Sequence, residues 1–201
     1  MKKMIIIGAS GHGKVVADIA KQNGYHDIVF LDDDVSKTEC AGYPVIGRVN
    51  DASYIEGDKI VAIGDEKIRE QLQKNLELCV LVHPNAVIGS GVKIGQGTVV
   101  MAGAVINADT VIGQGCIVNT SSSIDHDCII EDYVHVSVGA HLCGTVFAGK
   151  STWIGAGATI SNNVKVCSGC VIGAGTVVIN DINISGTYVG VPAKLLKRKE
   201  I

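Results

Sequence analysis

A histidine stands between two carboxylates in the middle of the chain, in the run Asp125-His126-Asp127. Histidine is the side chain best suited to accept a proton near neutral pH, and a neighbouring carboxylate raises its basicity and holds its tautomer. We therefore predict that His126 acts as a general base. Either Asp127 or Asp125 orients its ring.

The segment that must position this base repeats with a period of six. The 108 residues from Ala86 to Ala193 divide into 18 hexapeptides without insertion or deletion, and the third residue is Ile, Val or Leu in sixteen of them. A period of six predicts short strands joined by tight corners around an axis. Three hexapeptides make one turn, so residues 18 apart stack. The predicted inner columns are Ile88, Ile106, Ile124, Leu142, Ile160 and Val178; Ile94, Ile112, Ile130, Ala148, Val166 and Ile184; and Val100, Val118, Val136, Ile154 and Ile172.

The same stacking rule relates residues that face outward. Gly144 lies one turn beyond His126, and Trp153 lies one turn beyond His135. Ala156 and Ala174 form a column of small residues, which suits a straight, narrow ligand lying along the rod. Trp153 either walls such a cleft or is an ordinary surface aromatic, and we interpret His141 as a surface residue.

The first eighty residues follow a different pattern, a small βαβ unit of parallel type. A glycine-rich segment, Gly8–Lys14, joins the first strand to the first helix, and such a loop either binds a phosphate or only makes a tight turn. Acidic residues follow the second strand, where a ribose or base is often bound. The spacing is G-x-x-G-x-G, and the unit is too small for two mononucleotide halves. We therefore predict a nucleotide diphosphate and not NAD. The predicted elements are strands at 4–7, 28–31, 59–63 and 78–82, and helices at 15–23 and 66–76.

Composition limits the remaining function classes. The 201 residues carry a net charge of −3, which argues against nucleic acid as a partner. We expect no membrane span and no secretion signal, and we interpret the seven cysteines as reduced thiols of a cytoplasmic protein. Cys167 and Cys170 form a C-x-x-C, which suggests redox or metal chemistry. The hexapeptide pattern accounts for them as small corner residues.

Four motifs together resemble one family over essentially the whole chain. They are GASGHG at residues 8–13, FLDD at 30–33, AIG followed by E-x-I-R at 62–69, and GVPAK at 190–194. This combination resembles the NeuD/PglD group of hexapeptide-repeat acetyltransferases. The resemblance implies a Rossmann-like α/β domain over residues 1–82, followed by a left-handed parallel β-helix over residues 83–201. It also implies acetyl-CoA as cosubstrate, no metal, and a homotrimer with active sites between neighbouring subunits.

Site residues carry over from this family position by position. The resemblance implies that a UDP-sugar contacts Ser10, Gly11, His12, Asp32, Asp33 and Gly64. It implies His126 as the base, with Asp127 where the family has a glutamate. The implied acetyl-CoA contacts are His135, Gly144, Ala156 and Ala174. The basic tail, Lys194–Lys199, either meets the phosphates of coenzyme A or is solvated.

Four functions compete at this stage. The first is N-acetylation of a UDP-4-amino-4,6-dideoxy sugar for bacterial surface glycans. The second is O-acetylation of sialic acid or a surface polysaccharide. A metal-dependent lyase of the γ-carbonic-anhydrase kind needs three converging histidines, whereas His126, His135 and His141 fall on successive faces. A non-catalytic regulator that senses nucleotides would not need the base or the alanine column.

Overall fold

The N-terminal part is a five-stranded sheet flanked by helices. The computed structural model describes residues 2–196. The sheet has the order β3-β4-β2-β1-β5, in which β3 and β4 are antiparallel and the other pairings are parallel. The elements are β1 Lys3–Ile7, α1 Gly11–Gln22, β2 Asp27–Leu31, β3 Glu39–Cys40, β4 Tyr43–Gly47, a 3₁₀ helix Val49–Tyr54, β5 Asp58–Val61 and α2 Glu66–Gln73. Within residues 2–196, no helix is both long and apolar enough to cross a membrane.

This unit departs from the sequence prediction in three places. The β3–β4 hairpin and the 3₁₀ helix were not predicted, so the sheet is mixed and not purely parallel. Helix α1 begins at Gly11, four residues before the predicted start, because Gly13 packs directly on the strands. A Cβ at Gly13 would collide with the carbonyl oxygen of Gly8 and lie 3.0 Å from the ring of Phe30. The predicted strand at 78–82 is only Leu81–Val82, and it pairs with Val99–Val100 in the C-terminal sheet.

The C-terminal part is the predicted parallel β-helix, with three faces of two-residue strands. The first face contains Val87–Ile88, Val105–Ile106, Ser123–Ile124, His141–Leu142, Thr159–Ile160 and Val177–Val178. The second contains Lys93–Ile94, Val111–Ile112, Ile129–Ile130, Phe147–Ala148 and Lys165–Val166. The third contains Leu81–Val82, Val99–Val100, Ile117–Val118, His135–Val136, Trp153–Ile154, Val171–Ile172, Thr187–Val189 and an antiparallel Lys194–Leu195.

The inner columns are confirmed except in the first turn, where the Ile88 side chain is 39% exposed, and in the last turn. Strands pair with a register of 18 residues from Leu81 to Val178, and their third-position side chains form one buried cluster. The prediction is wrong at Ile184, whose side chain is 67% exposed. Ile182 takes its place by bridging to Val166, because the corner after Val178 is two residues shorter than the others. The column therefore closes with an isoleucine two positions earlier.

One hydrophobic core joins the two parts. Side chains that point outward from the third face, Val99, Met101 and Ile117, belong to the same buried cluster as Met4 and Phe30 of the N-terminal sheet. Helix α2 lies on a corner of the β-helix. There Gly97 and Gly115 leave room for it, since a Cβ at either position would lie 2.6–2.7 Å from the Gln73 side chain. The Lys150 ammonium adds an ion pair with Glu70 on α2 at 2.8 Å.

Candidate active site

The predicted base and one of its two candidate partners are in contact. The Nδ1 atom of His126 lies 2.7 Å from Oδ2 of Asp127. The hydrogen bond to Asp127, and then the charge of Asp125, raise the pKa of His126 above its ordinary value. Asp125 does not bond to the His126 ring. Its Oδ1 accepts hydrogen bonds from the His126 backbone N–H and from the Asn107 side-chain amide. Since Nδ1 is held by Asp127, Nε2 is the nitrogen free to accept a proton.

The corner geometry explains which aspartate pairs with His126. His126 follows the strand Ser123–Ile124 and precedes Ile129–Ile130, so it lies on the edge between the first and second faces. Asp127 occupies the left-handed position of that corner, with a φ of 58°. Gly144 lies in the next turn directly against the base, because a Cβ there would be 2.7 Å from Cε1 and Nε2 of His126. The prediction that Gly144 stacks on His126 is therefore confirmed in geometry.

A second predicted group lines an apolar cleft on a different edge. Ala156 and Ala174 are exposed and lie in successive turns, between the third and first faces. The cleft has a volume of about 460 Å³, and the half-exposed side chain of Trp153 is part of its lining. Its lining residues are Asn119, His135, Ser137, Val138, Trp153, Gly155, Ala156, Val171, Ile172, Gly173 and Ala174.

His135 forms one end of this cleft in a defined protonation state. Its ring is stacked on Trp153, with the centroids 5.9 Å apart and an interplanar angle of 3°. The side-chain Oδ1 of Asn119 accepts from the Thr120 N–H at 2.8 Å, so the side-chain Nδ2 of Asn119 faces Nε2 of His135 at 3.1 Å. Nε2 therefore accepts, and the proton resides on Nδ1. Burial, and then the charge of Arg69, lower the pKa of His135 to about 4, which keeps the ring neutral.

The predicted nucleotide residues converge only in part. A cavity of about 410 Å³ lies between the sheet and α2, and we call it the nucleotide cavity after the ligand predicted for it. It is lined by Ser10, Asp32, Asp33 and Gly64, together with Gly8, Val49, Asn50, Ile63, Ile68, Gln71 and Leu72. Gly11 and His12 are in the first turn of α1 and do not line it. Burial opposes the charged form of Asp32, but hydrogen bonds from Asp34, Lys37 and Ala9 outweigh it and lower the pKa of this carboxyl.

His12 points into the protein and not towards the nucleotide cavity. Its Nε2 atom is buried and has no hydrogen-bond partner among residues 2–196. Burial, and then the positive charge of Arg69, lower the pKa of His12 to about 4. The His12 ring is therefore neutral.

A third cavity, which we call the junction cavity, shares lining residues with each of these two. It has a volume of about 340 Å³ and is lined by Gly64, Asp65, Glu66, Arg69, Tyr133, His135, Ser151, Thr152 and Trp153. Gly64 also lines the nucleotide cavity, and His135 and Trp153 also line the apolar cleft. The three cavities therefore follow one another across the junction of the two parts. Gly64, His135 and Trp153 were each singled out from the sequence, but nothing in the sequence predicted that they would line neighbouring cavities.

Some residues singled out from the sequence lie outside this line of cavities. His141 is exposed and contacts the hydroxyl of Ser123 at 2.8 Å. The sulfur atoms of Cys167 and Cys170 are 3.5 Å apart at a corner, and both thiols are free. The basic tail is described only as far as Leu196, and Lys197–Lys199 lie outside the described residues. Within residues 2–196, no three His, Cys, Asp or Glu side chains are grouped so as to hold a metal ion.

Comparisons with known proteins agree with this geometry. Residues 3–76 match the family model of the PglD N-terminal domain. The structure is similar to the acetyltransferase domain of PglB from Neisseria gonorrhoeae in complex with acetyl coenzyme A, with a TM-score of 0.94 and 43% identity, over 97% of this chain and 99% of that one. It is also similar to PerB from Caulobacter crescentus in complex with CoA and GDP-perosamine, with a TM-score of 0.91 and 33% identity, over 98% of each chain.

A curated relative matches over a shorter length. UDP-N-acetylbacillosamine N-acetyltransferase of Bacillus subtilis is 34% identical over 113 residues, which is 51% of this chain. The match spans about half of that relative, 52% of its length.

Proposed function

This chain belongs to the PglD-type hexapeptide-repeat acetyltransferases, and from that premise we propose that it transfers the acetyl group of acetyl-CoA to the amino group of a nucleotide-linked sugar. One observation carries the proposal. The nucleotide cavity, the junction cavity and the apolar cleft adjoin one another through Gly64, His135 and Trp153. Such a line suits a nucleotide at one end, a sugar in the middle and a thioester arm at the other.

The nucleotide end suits a diphosphate and a ribose. The cavity lies at the N-terminus of α1, where backbone N–H groups attract a phosphate, and Ser10 caps that helix without a side-chain bond of its own. We propose that Ser10 and Gly64, which line the cavity, contact the ligand, and that Gly11 and His12 contribute only their backbone N–H groups at the start of α1. We propose that Asp32 and Asp33 face the ribose or the base of the nucleotide. The acceptor is a UDP-4-amino-4,6-dideoxy sugar in this proposal, and the name of the Bacillus subtilis relative, UDP-N-acetylbacillosamine N-acetyltransferase, supports a UDP-linked sugar.

The coenzyme end suits a pantetheine arm. Ala156 and Ala174 leave a narrow floor over two turns, and Trp153 forms its wall. His135 offers its Nδ1–H to the ligand because Nε2 is already occupied by Asn119. Gly144 meets the coenzyme on the edge that carries the base. We propose these four positions, His135, Gly144, Ala156 and Ala174, as contacts of acetyl-CoA.

The base and the cleft lie on different edges of one rod. His126 is between the first and second faces, whereas Ala156 and Ala174 are between the third and first, so the whole first face separates them. A single chain therefore does not bring its own base to its own cleft. A closed threefold ring places the His126 edge of one subunit against the cleft of the next. We propose a homotrimer with three such shared sites.

In the shared site the chemistry needs only proton movement and placement. The amine nitrogen attacks the thioester carbonyl carbon while Nε2 of His126 accepts the proton that the nitrogen loses. The C–S bond then breaks, and the departing thiolate of coenzyme A takes that proton back from His126. Asp127 stabilises the imidazolium form between these steps. The products are the amide and free coenzyme A.

The test compares acceptors under identical conditions. The protein is incubated with acetyl-CoA and, in turn, a UDP-4-amino-4,6-dideoxy sugar, its GDP counterpart and free sialic acid. Released thiol and a gain of one acetyl group by mass spectrometry are measured. The proposal expects acetylation of the nucleotide amino sugars. Acetylation of sialic acid alone would instead identify the O-acetyltransferase.

Two further expectations accompany the proposal. Sedimentation velocity at micromolar concentration is expected to give three times the mass of one chain, and a monomer there contradicts the shared site. All seven cysteines are free thiols, which fits the reducing cytoplasm that we propose as the location.

A further inference from the structure

Arg69 on α2 is a charged side chain placed where charge is unfavourable. It is 1% exposed, and no other Lys, Arg, Asp or Glu among residues 2–196 is buried. In the same described part of the chain, no carboxylate lies within 4.0 Å of its guanidinium. An apolar residue would serve a simple packing contact at lower cost, because burying an unpaired charge opposes folding. The position therefore points to a task that needs the guanidinium itself.

The guanidinium joins both halves of the proposed site. Nη1 donates to the carbonyl oxygens of Ile63 at 3.0 Å and Gly64 at 2.6 Å. Nε donates to Gly115 at 2.9 Å, and Nη2 donates to Tyr133 at 3.0 Å. The first pair lies at the nucleotide cavity, and the second pair lies in successive turns of the β-helix. A planar fork with five donors fixes four acceptors relative to one another, which a single ammonium cannot do.

The fork lies between the two ends of the acceptor path. Gly64 lines both the nucleotide cavity and the junction cavity, and Tyr133 is two residues before His135 at the apolar cleft. The charge has a second effect. Together with burial, it lowers the pKa of His135 and keeps that ring a neutral Nδ1–H donor. The hydrogen bond of Arg69 to Tyr133 and the charge of Arg69 thus both act on His135 or its immediate surroundings.

We propose that Arg69 is a positioning residue for acetyl transfer, which locks the nucleotide-binding segment at Gly64 to the strand that carries His135. Its task is to hold the sugar amine in register with the thioester. The inference rests on the proposed function for its kinetic consequence. Its structural part, a rigid link between nucleotide binding and His135, is independent of turnover.

The first test is Arg69→Met, which retains a long apolar stem and removes the fork. Each ligand alone needs only its own half of the site, so the Kd values for acetyl-CoA and for UDP are expected to change by less than about threefold. The reaction needs both halves in register, so kcat is expected to fall by about 30-fold or more. Calorimetry gives the first quantity and thiol release the second.

A matched control lies one helical turn further along α2. Gln73 is also buried, at 8% exposure, and its amide donates to the Gln96 carbonyl oxygen of the β-helix at 2.8 Å. Within residues 2–196, its side chain makes no hydrogen bond to Gly64 or to the Tyr133 backbone. Gln73→Met therefore weakens the same interface without breaking the link, and we expect a loss of thermal stability with nearly unchanged kcat. An equal loss of kcat in both variants overturns the proposal.

A readout without turnover separates this inference from the proposed function. In protein labelled with ¹³C-histidine, addition of UDP is expected to shift the His135 ring signal of the parent and of Gln73→Met, and to leave it unmoved in Arg69→Met. If UDP shifts the signal equally in all three, the link does not exist. If the parent acetylates none of the tested sugars, the proposed function fails while the NMR result still decides the role of Arg69.

A second variant covers failure of Arg69→Met to fold. Arg69→Lys keeps the charge but not the fork, so kcat is expected to fall while the His135 ring still titrates near its parent value. A lysine variant with parental kcat shows that charge alone is sufficient and refutes the positioning role.

Discussion

Gly144 offers the sharpest perturbation of the base, because its missing side chain is what leaves room for His126. In Gly144→Ala the new Cβ would lie 2.7 Å from both Cε1 and Nε2 of the ring, and 3.3 Å from the Asn162 amide nitrogen. Ordinary contacts begin at 3.4 Å. The ring must therefore move outward by about 0.7 Å, the difference between the two distances. Gly144 does not have a left-handed φ, so alanine is compatible with the backbone.

The expected effect is on rate and not on stability. The His126 side chain is 54% exposed, so it can move into solvent without overpacking the core. A displacement approaching 1 Å in a catalytic group costs about 10²-fold in rate. We therefore expect kcat to fall by about 100-fold, or about 2.7 kcal/mol of transition-state stabilisation. The measurement is steady-state thiol release with saturating acetyl-CoA and amino sugar, beside circular dichroism of the folded protein.

A double variant tests whether the loss passes through the base. His126→Ala removes the ring that the new methyl group would displace. In that background Gly144→Ala has no ring left to move. At saturating acetyl-CoA, where a weaker contact between Gly144 and the coenzyme does not limit the rate, the kcat of the double variant is expected to match that of His126→Ala alone. Parental kcat in Gly144→Ala refutes the reasoning, and so does an additive loss in the double variant, since either result means that the contact does not control the base.

Three further expectations concern the same site and its surroundings. Asp127→Asn removes the main hydrogen bond that raises the pKa of His126, so the acidic limb of the kcat/KM profile should move to lower pH while the plateau falls roughly tenfold; an unmoved limb contradicts the pairing. Ala174→Leu fills the exposed cleft floor and should raise KM for acetyl-CoA strongly while UDP binding is retained; unchanged coenzyme affinity places the cleft elsewhere. The folded-state pKa values of His12 and His135 are about 4, below the ordinary 6.5, so the unfolded chain binds more protons between these limits. The free energy of unfolding should be highest above pH 6.5 and fall towards pH 4, by up to about 1.4 kcal/mol per pH unit for each histidine. Equal free energies of unfolding in urea at pH 7 and pH 5 would refute this.

The hexapeptide period predicted most of the β-helix because each turn repeats the packing of the one before. A residue's position in the period determines whether it points inward, and 18-residue stacking then places Gly144 against His126 and Ala156 beside Ala174. The prediction failed at Ile184, where the repeat continues in the sequence but the chain shortens a corner. Ile182 and Ile184 are both isoleucine, so side-chain type did not distinguish them.

The choice between Asp125 and Asp127 needed backbone geometry. Both flank His126 in sequence, and either could have reached its ring. The left-handed φ of 58° at Asp127 turns its carboxylate to Nδ1, while Asp125 accepts from the backbone of the turn. Periodicity indicates that a corner occurs there. It does not indicate which carboxylate faces back along the chain.

Contacts between the repetitive and the non-repetitive part were beyond sequence reasoning. Arg69 was visible only as one letter of a motif, yet it bonds to carbonyls 46 and 64 residues away. No period relates α2 to the corner on which it packs, so its partners depend on how two surfaces meet. The inward direction of His12 has the same origin, because it depends on α1 beginning at Gly11 and on the buried junction beneath it.

The core that Val99, Met101 and Ile117 share with the N-terminal sheet packs the two parts of the protein against each other. Packing, and not a flexible tether, sets the span from the nucleotide cavity to the cleft. In the proposed reaction, the number of bonds between the diphosphate and the amine of the acceptor must therefore match that span. Regioisomers that carry the amine one carbon nearer or farther would bind through the same nucleotide and present nitrogen at the wrong place. Selectivity among amino sugars then arises in turnover, even where binding does not discriminate.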